Sequence, residues 1–179
     1  MMRAAHAFSA VLLVVSGIAL ADGGGTFTVK GKTTPLKSAY AYSCPDPFDA
    51  SKQTTVIVFS ERLLDAAKIN AAADRVKALS HATDDFVAGQ EHRSAAVEIY
   101  IARDDPKFPV QQIGFDLPGL SSSASTGPDN YTLQLKRNDG KRIEGTLKST
   151  KEAAKTADHG GFFDLQFALD VASTTPGPK

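Results

Sequence analysis

The sequence predicts a mainly β protein: an antiparallel β-sandwich of about eight short strands with one inserted helix near residues 62–80. Three observations predict it. The closing segment FFDLQFALDVA puts Phe163, Leu165, Phe167, Leu169 and Val171 on one face. Phe162, Asp164, Gln166, Ala168 and Asp170 fall on the other, the strongest period-two alternation in the chain. The run TTVIVFS, Thr54–Ser60, is β-branched and nearly all apolar, which reads as a buried central strand. Gly, Pro and Asn-Asp-Gly turn signals separate such runs at short intervals.

Each element follows from its residues. Phe27 and Val29 alternate with Thr26, Thr28 and Lys30, a first strand that ends at the Gly31-Lys32 turn signal. Leu36 to Tyr42 gives a second strand. In CPDPFDASKQ, Pro45 and Pro47 exclude a central strand, so this segment is a loop leading to Thr54. The period then changes. Leu64, Ala67, Ala71, Val76 and Leu79 form one helical stripe in an alanine-rich segment that Ser60 can cap.

Val97, Ile99 and Ile101 return to alternation. Asp104-Asp105-Pro106 makes a turn, and Val110 to Phe115 suggests another strand. LPGLSSSASTGPDN is small and polar, a surface loop. Leu133 and Leu135 alternate with Gln134 and Lys136, and Asn138-Asp139-Gly140 supplies residues able to take positive φ. Ile143 and Leu147 follow on the return strand of a hairpin. TKEAAKTADHGG is a longer connection before the closing strand, and STTPGPK is expected to be a disordered tail.

The chain opens MMRAAHAFSAVLLVVSGIALADGGG. Arg3 is a short positive region, Ala7 to Ala21 is mostly apolar, and Ala19-Leu20-Ala21 is a small-x-small cleavage site. This is the pattern of a secretory signal peptide over residues 1–21. The apolar stretch is short for a membrane span, so no stable membrane insertion is expected after cleavage. The expected organisation is a leader, one domain over 22–172 and a tail over 173–179. The expected location is the periplasm or the cell exterior.

The chain has 20 basic and 20 acidic residues, so neither nucleic acid nor an anionic membrane is indicated as partner. GTFTVKGKTTPLKSAYAY, DPFD, TTVIVFS and the terminal DGKRIEGTLKS and GGFFDLQFALDV together resemble uncharacterised exported bacterial β-sandwich proteins. That resemblance implies export and fold. It implies no catalytic residue and no ligand.

The search for chemistry centres on few residues. Cys44, the single cysteine, cannot form an internal bridge. Three readings stay open: a buried thiol, an intermolecular disulfide, or a catalytic thiolate, although Asp46 two residues away would raise a thiol pKa. His81, His92 and His159 have no metal-ligand spacing, so no metal and no cofactor is expected. His159 stands in ADHGG, beside glycines that permit close backbone approach. Asp84-Asp85 and Asp104-Asp105 are acidic pairs without the loop spacing of a calcium site. GLSSSAS lacks the nucleophile-elbow pattern. NYT at Asn130–Thr132 matches a glycosylation acceptor, discounted for a bacterial source. Lys136, Arg137, Lys141, Arg142, Lys148, Lys151 and Lys155 make a basic region that reads as a solvated hairpin or as a contact patch.

The expected function is an exported non-catalytic binding or interaction protein, inhibitor-like or immunity-like, whose partner is another protein or an envelope component. Cys44, Asp46, Asp84, Asp85, His159, Lys141 and Arg142 are its candidate contacts, with loops 44–53, 84–94 and 116–130. An envelope structural or assembly component and a hydrolase with a spatially assembled site are the alternatives.

Overall fold

A computed structural model of the protein describes residues 23–46, 49, 51–64, 96–105, 107, 109–117, 120–124, 130–150 and 162–173. The protein is mainly β. The described residues form ten strands, β1 (Gly23–Val29), β2 (Lys32–Leu36), β3 (Ser38–Pro45), β4 (Gln53–Ser60), β5 (Ala96–Ala102), β6 (Val110–Leu117), β7 (Leu120–Ala124), β8 (Tyr131–Asn138), β9 (Arg142–Ser149) and β10 (Phe162–Ser173). They form one curled sheet in the order β2-β1-β10-β3-β4-β5-β6-β7, with β9 also on β10 and β8 on β9.

The expected antiparallel sandwich is corrected here. β10 is twelve residues long and outruns any one partner on that side. Its first half pairs antiparallel with β1, Phe162–Phe167 against Gly23–Thr28, and its last three residues pair parallel with Ala41–Ser43 of β3. Along its other edge it pairs antiparallel with β9. One strand therefore joins what would otherwise be two sheets, and the sheet is mixed.

Two further expectations change. The expected second strand is divided at Lys37, whose N–H donates to the Ser60 carbonyl at 2.8 Å, so β2 turns back onto β1 while β3 runs beside β4. LSSSA, expected within a surface loop, is the edge strand β7 on β6. Its ladder is made by main-chain groups, which small polar side chains do not prevent. The helix expected over 62–80 lies, apart from its first three residues, outside the described residues; among the described residues there is no helix. Asp84, Asp85, His81, His92 and His159 also lie outside them.

The hairpins obey local chemistry. Lys30 and Gly31 both take positive φ, 49° and 77°, as a two-residue hairpin whose twist matches its strands requires. In the β8–β9 turn Gly140 has φ 78° and lies under the Arg103 guanidinium, where an added Cβ would meet Cζ at 2.6 Å.

Period-two alternation then sorts the faces. The inner face carries the main core, with Phe27, Leu36, Ile57, Phe59, Ile99, Ile101, Ile143, Leu147, Leu165 and Phe167 each at most 3% exposed. Phe59 and Phe167 meet across it edge to face, with centroids 6.3 Å apart. The outer face carries a second, smaller cluster of Tyr42, Cys44, Val56, Val58 and Tyr100 on β3–β5, with Tyr40, Leu64 and Ala172 packed against it. β4 contributes to both clusters and is buried from Thr54 to Ser60, as its continuous apolar run implies.

Candidate functional site

Outside β3–β5, the same outer face is open. Strand register sets its residues in rows. Gly24 stands opposite Gln166, Gln166 opposite Thr146, and Thr146 opposite Gln134, so one line crosses β1, β10, β9 and β8. Gln166, Thr146 and Gln134 are exposed. The next row holds Ala168 and Glu144. The chain at Pro35–Lys37 rises beside these rows, and together they bound a groove of about 630 Å³.

Glycine makes the groove possible. A Cβ on Gly24 would lie 2.8 Å from the Leu36 carbonyl oxygen, and one on Gly25 would run into the Asp164 carbonyl oxygen. One on Gly145 would run into the Gln134 carbonyl oxygen. Both the β2–β1–β10 and the β9–β8 approaches are therefore closer than any side chain allows, and at these glycines main chain lines the groove beside Gln166, Thr146 and Gln134.

Electrostatically the open face is balanced strand by strand. Lys136 lies 3.6 Å from Glu144. Arg137 donates to Asp139 at 2.7 Å, and Arg142 to Asp170 at 2.8 Å. Lys148 pairs with Asp164, its register neighbour. Of the basic region, Lys136, Arg142 and Lys148 thus have carboxylates beside them across the strands, and Arg137 has one within its own turn.

Cys44 sits on the dry half. It is 1% exposed, and burial first, then the Glu98 and Asp46 carboxylates, push its thiol up from 9.0 to about 12. Such a thiol is neither a nucleophile near neutral pH nor accessible to a second chain. Asp46, 5% exposed, organises the loop that follows. Its Oδ1 accepts from the Asp49 N–H at 3.0 Å, and its Oδ2 accepts from the Gln111 amide and the Thr54 hydroxyl. Lys141 is exposed in the β8–β9 turn, with its N–H donating to Asp139 at 3.0 Å, while Arg142 spans to Asp170 and to the Ala168 carbonyl. The structure brings Cys44 and Asp46 together as structural groups and sets Lys141 and Arg142 at one end of the open face.

A partly buried polar layer was not legible in the sequence. Arg103 donates to the Ser43 hydroxyl at 2.9 Å, Ser43 to Gln53 at 3.2 Å, and Thr55 to Asn138 at 3.1 Å. This ties the β8–β9 turn to β3–β5. The groove residues Gln134, Thr146 and Gln166 were also missed as a set. Their outward alternation was readable, but their alignment depends on register across three strands.

Among the described residues, no group of three or more His, Cys, Asp or Glu side chains is placed to hold a metal ion. Comparison with protein-family models, curated proteins and solved structures returns no match.

Proposed function

We propose that the protein is an exported, non-catalytic binding protein of the bacterial periplasm or cell exterior, and that the outer-face groove is its binding site. The groove itself carries this reading. It is a concave surface built on strands held by sheet hydrogen bonds on both sides, so it is formed before any ligand arrives. Its polar side chains are the amides of Gln134 and Gln166, the Thr146 hydroxyl, Glu144 beside Lys136, and Lys37, with Pro35, Leu36, Phe167 and Ala168 completing the lining. Export is supported by the leader pattern over residues 1–21.

The test has two parts. Intact mass of the exported protein should correspond to a chain starting at Asp22; a mass that retains Met1 would remove the export reading. Thr146→Arg should fill the groove from its exposed floor without changing the melting temperature. Envelope material retained by the immobilised wild-type protein should be lost from this variant. Equal retention by both would mean that the groove is not the binding site.

A further inference from the structure

We infer that the groove takes an uncharged oligosaccharide laid across the strands, with one sugar ring over each of β10, β9 and β8. The inference rests on the reading of the groove as the binding site and names its ligand class.

Spacing is the first argument. Gln166, Thr146 and Gln134 are register neighbours on three adjacent strands. Adjacent strands lie about 4.8 Å apart, so the three side chains form a ladder at that interval. A β-linked pyranose chain advances by roughly one such step per ring. An extended polypeptide has a different period and would fall out of phase with the ladder.

Chemistry is the second. An amide side chain offers both a donor and an acceptor, and a threonine hydroxyl offers both. Sugar hydroxyls do the same, so each rung can exchange two hydrogen bonds with one ring. Gly24 continues the row beyond Gln166 without a side chain, and the Leu36 main chain bounds the ladder at that end.

Charge and apolar content decide between ligands. Two cations line the groove, Lys136 beside Glu144 and Lys37 on the Pro35–Lys37 wall, while Arg142 and Lys148 on the same face lie beside Asp170 and Asp164, so a chain of many anionic groups meets little unbalanced positive charge. Protein partners are anchored by aromatic, arginine or large apolar side chains in a pocket. Phe167 contributes to the groove wall but is 3% exposed, and the exposed large apolar residues among those described, Leu63 and Leu135, do not line it. A ligand that needs hydrogen bonds and no apolar anchor fits best. Among the described groove residues no ring is exposed for stacking, so weak binding is expected.

The experiment is an amide NMR titration of the exported protein with neutral β-linked tetrasaccharides of glucose, xylose and N-acetylglucosamine, and with the matching monosaccharides. At least one tetrasaccharide should shift the side-chain amides of Gln134 and Gln166 and bind more tightly than its monosaccharide. Gln166→Ala and Gln134→Ala should each weaken it about three- to ten-fold at unchanged melting temperature, the loss of one neutral hydrogen bond or two. Three outcomes would overturn the inference: no groove shift at millimolar sugar, shifts only elsewhere, or tighter groove binding of a polyuronate than of any neutral chain. If Thr146→Arg still abolished envelope retention in those cases, the groove reading would stand and only the ligand class would fall.

Discussion

One face of a single sheet behaves in two ways. Over β3–β5 the outer face is dry, with Tyr42, Cys44, Val56 and Val58 each at most 2% exposed. Over β1, β10, β9 and β8 it is wet, lined by Gln166, Thr146, Gln134 and cross-strand ion pairs. β10 links the halves. Its outward residues run from Asp164 and Gln166 to Ala172, which packs against the tyrosine cluster. A strand's exposure is therefore decided by the half of the sheet it lies in. The dry half contributes stability through burial, and the wet half leaves a rigid surface for binding.

Truncation on the dry half should give the largest effect. Tyr42→Ala should destabilise by about 3–5 kcal/mol, whereas Gln166→Ala on the wet half should stay within about 0.5 kcal/mol. Chemical denaturation midpoints measure both, and equal costs would erase the distinction between the halves. Gly25→Ala sharpens it from within the wet half. The added methyl meets the Asp164 carbonyl of the adjacent strand, so a loss of about 3 kcal/mol is expected although the groove faces water. A neutral result would show that β1 can retreat from β10.

Cys44 gives a pH-dependent difference. Its folded pKa is raised, so the buried thiol contributes fully below 9.0 and that contribution is lost as pH rises toward about 12. Cys44→Ala should flatten the fall in stability above pH 9, relative to wild type, and the wild-type thiol should label only after unfolding. Rapid labelling of the folded protein would contradict a dry half.

Asp139, on the exposed turn, should show the smallest and opposite dependence. The Arg142 and Lys141 N–H groups, then the Arg137 side chain, hold its carboxyl well below the usual range. Its contribution is present above 3.8 and lost as pH falls. The stability gap between wild type and Asp139→Ala should therefore narrow in acid, and a gap unchanged from neutral pH to pH 3 would contradict it.

Much of the strand content was legible because alternation is a local property. Phe163, Leu165, Phe167, Leu169 and Val171 all point inward, as the sequence implies, and the unbroken apolar run of β4 is buried on both faces. Less legible were elements whose side chains do not alternate. LSSSA becomes a strand because β6 offers it a ladder, and Gly23–Gly25, expected in the domain but in no strand, open β1 against β10. Of the residues singled out for function, Cys44 and Asp46 are buried, Lys141 lies in the β8–β9 turn and Arg142 pairs with Asp170.

By itself the sequence determined the β character, the inward residues of each strand and the hairpins at Lys30-Gly31 and Asn138–Gly140, since sterics and alternation act between near neighbours. Tertiary structure decided which strands meet. It set β3 parallel to the end of β10, brought Arg103 onto Gly140, and aligned Gln134, Thr146 and Gln166 across three strands. The physical reason is that register is a long-range choice. It is fixed by burying both faces of β4 together with the inner face of β10, and no short stretch of chain carries that information.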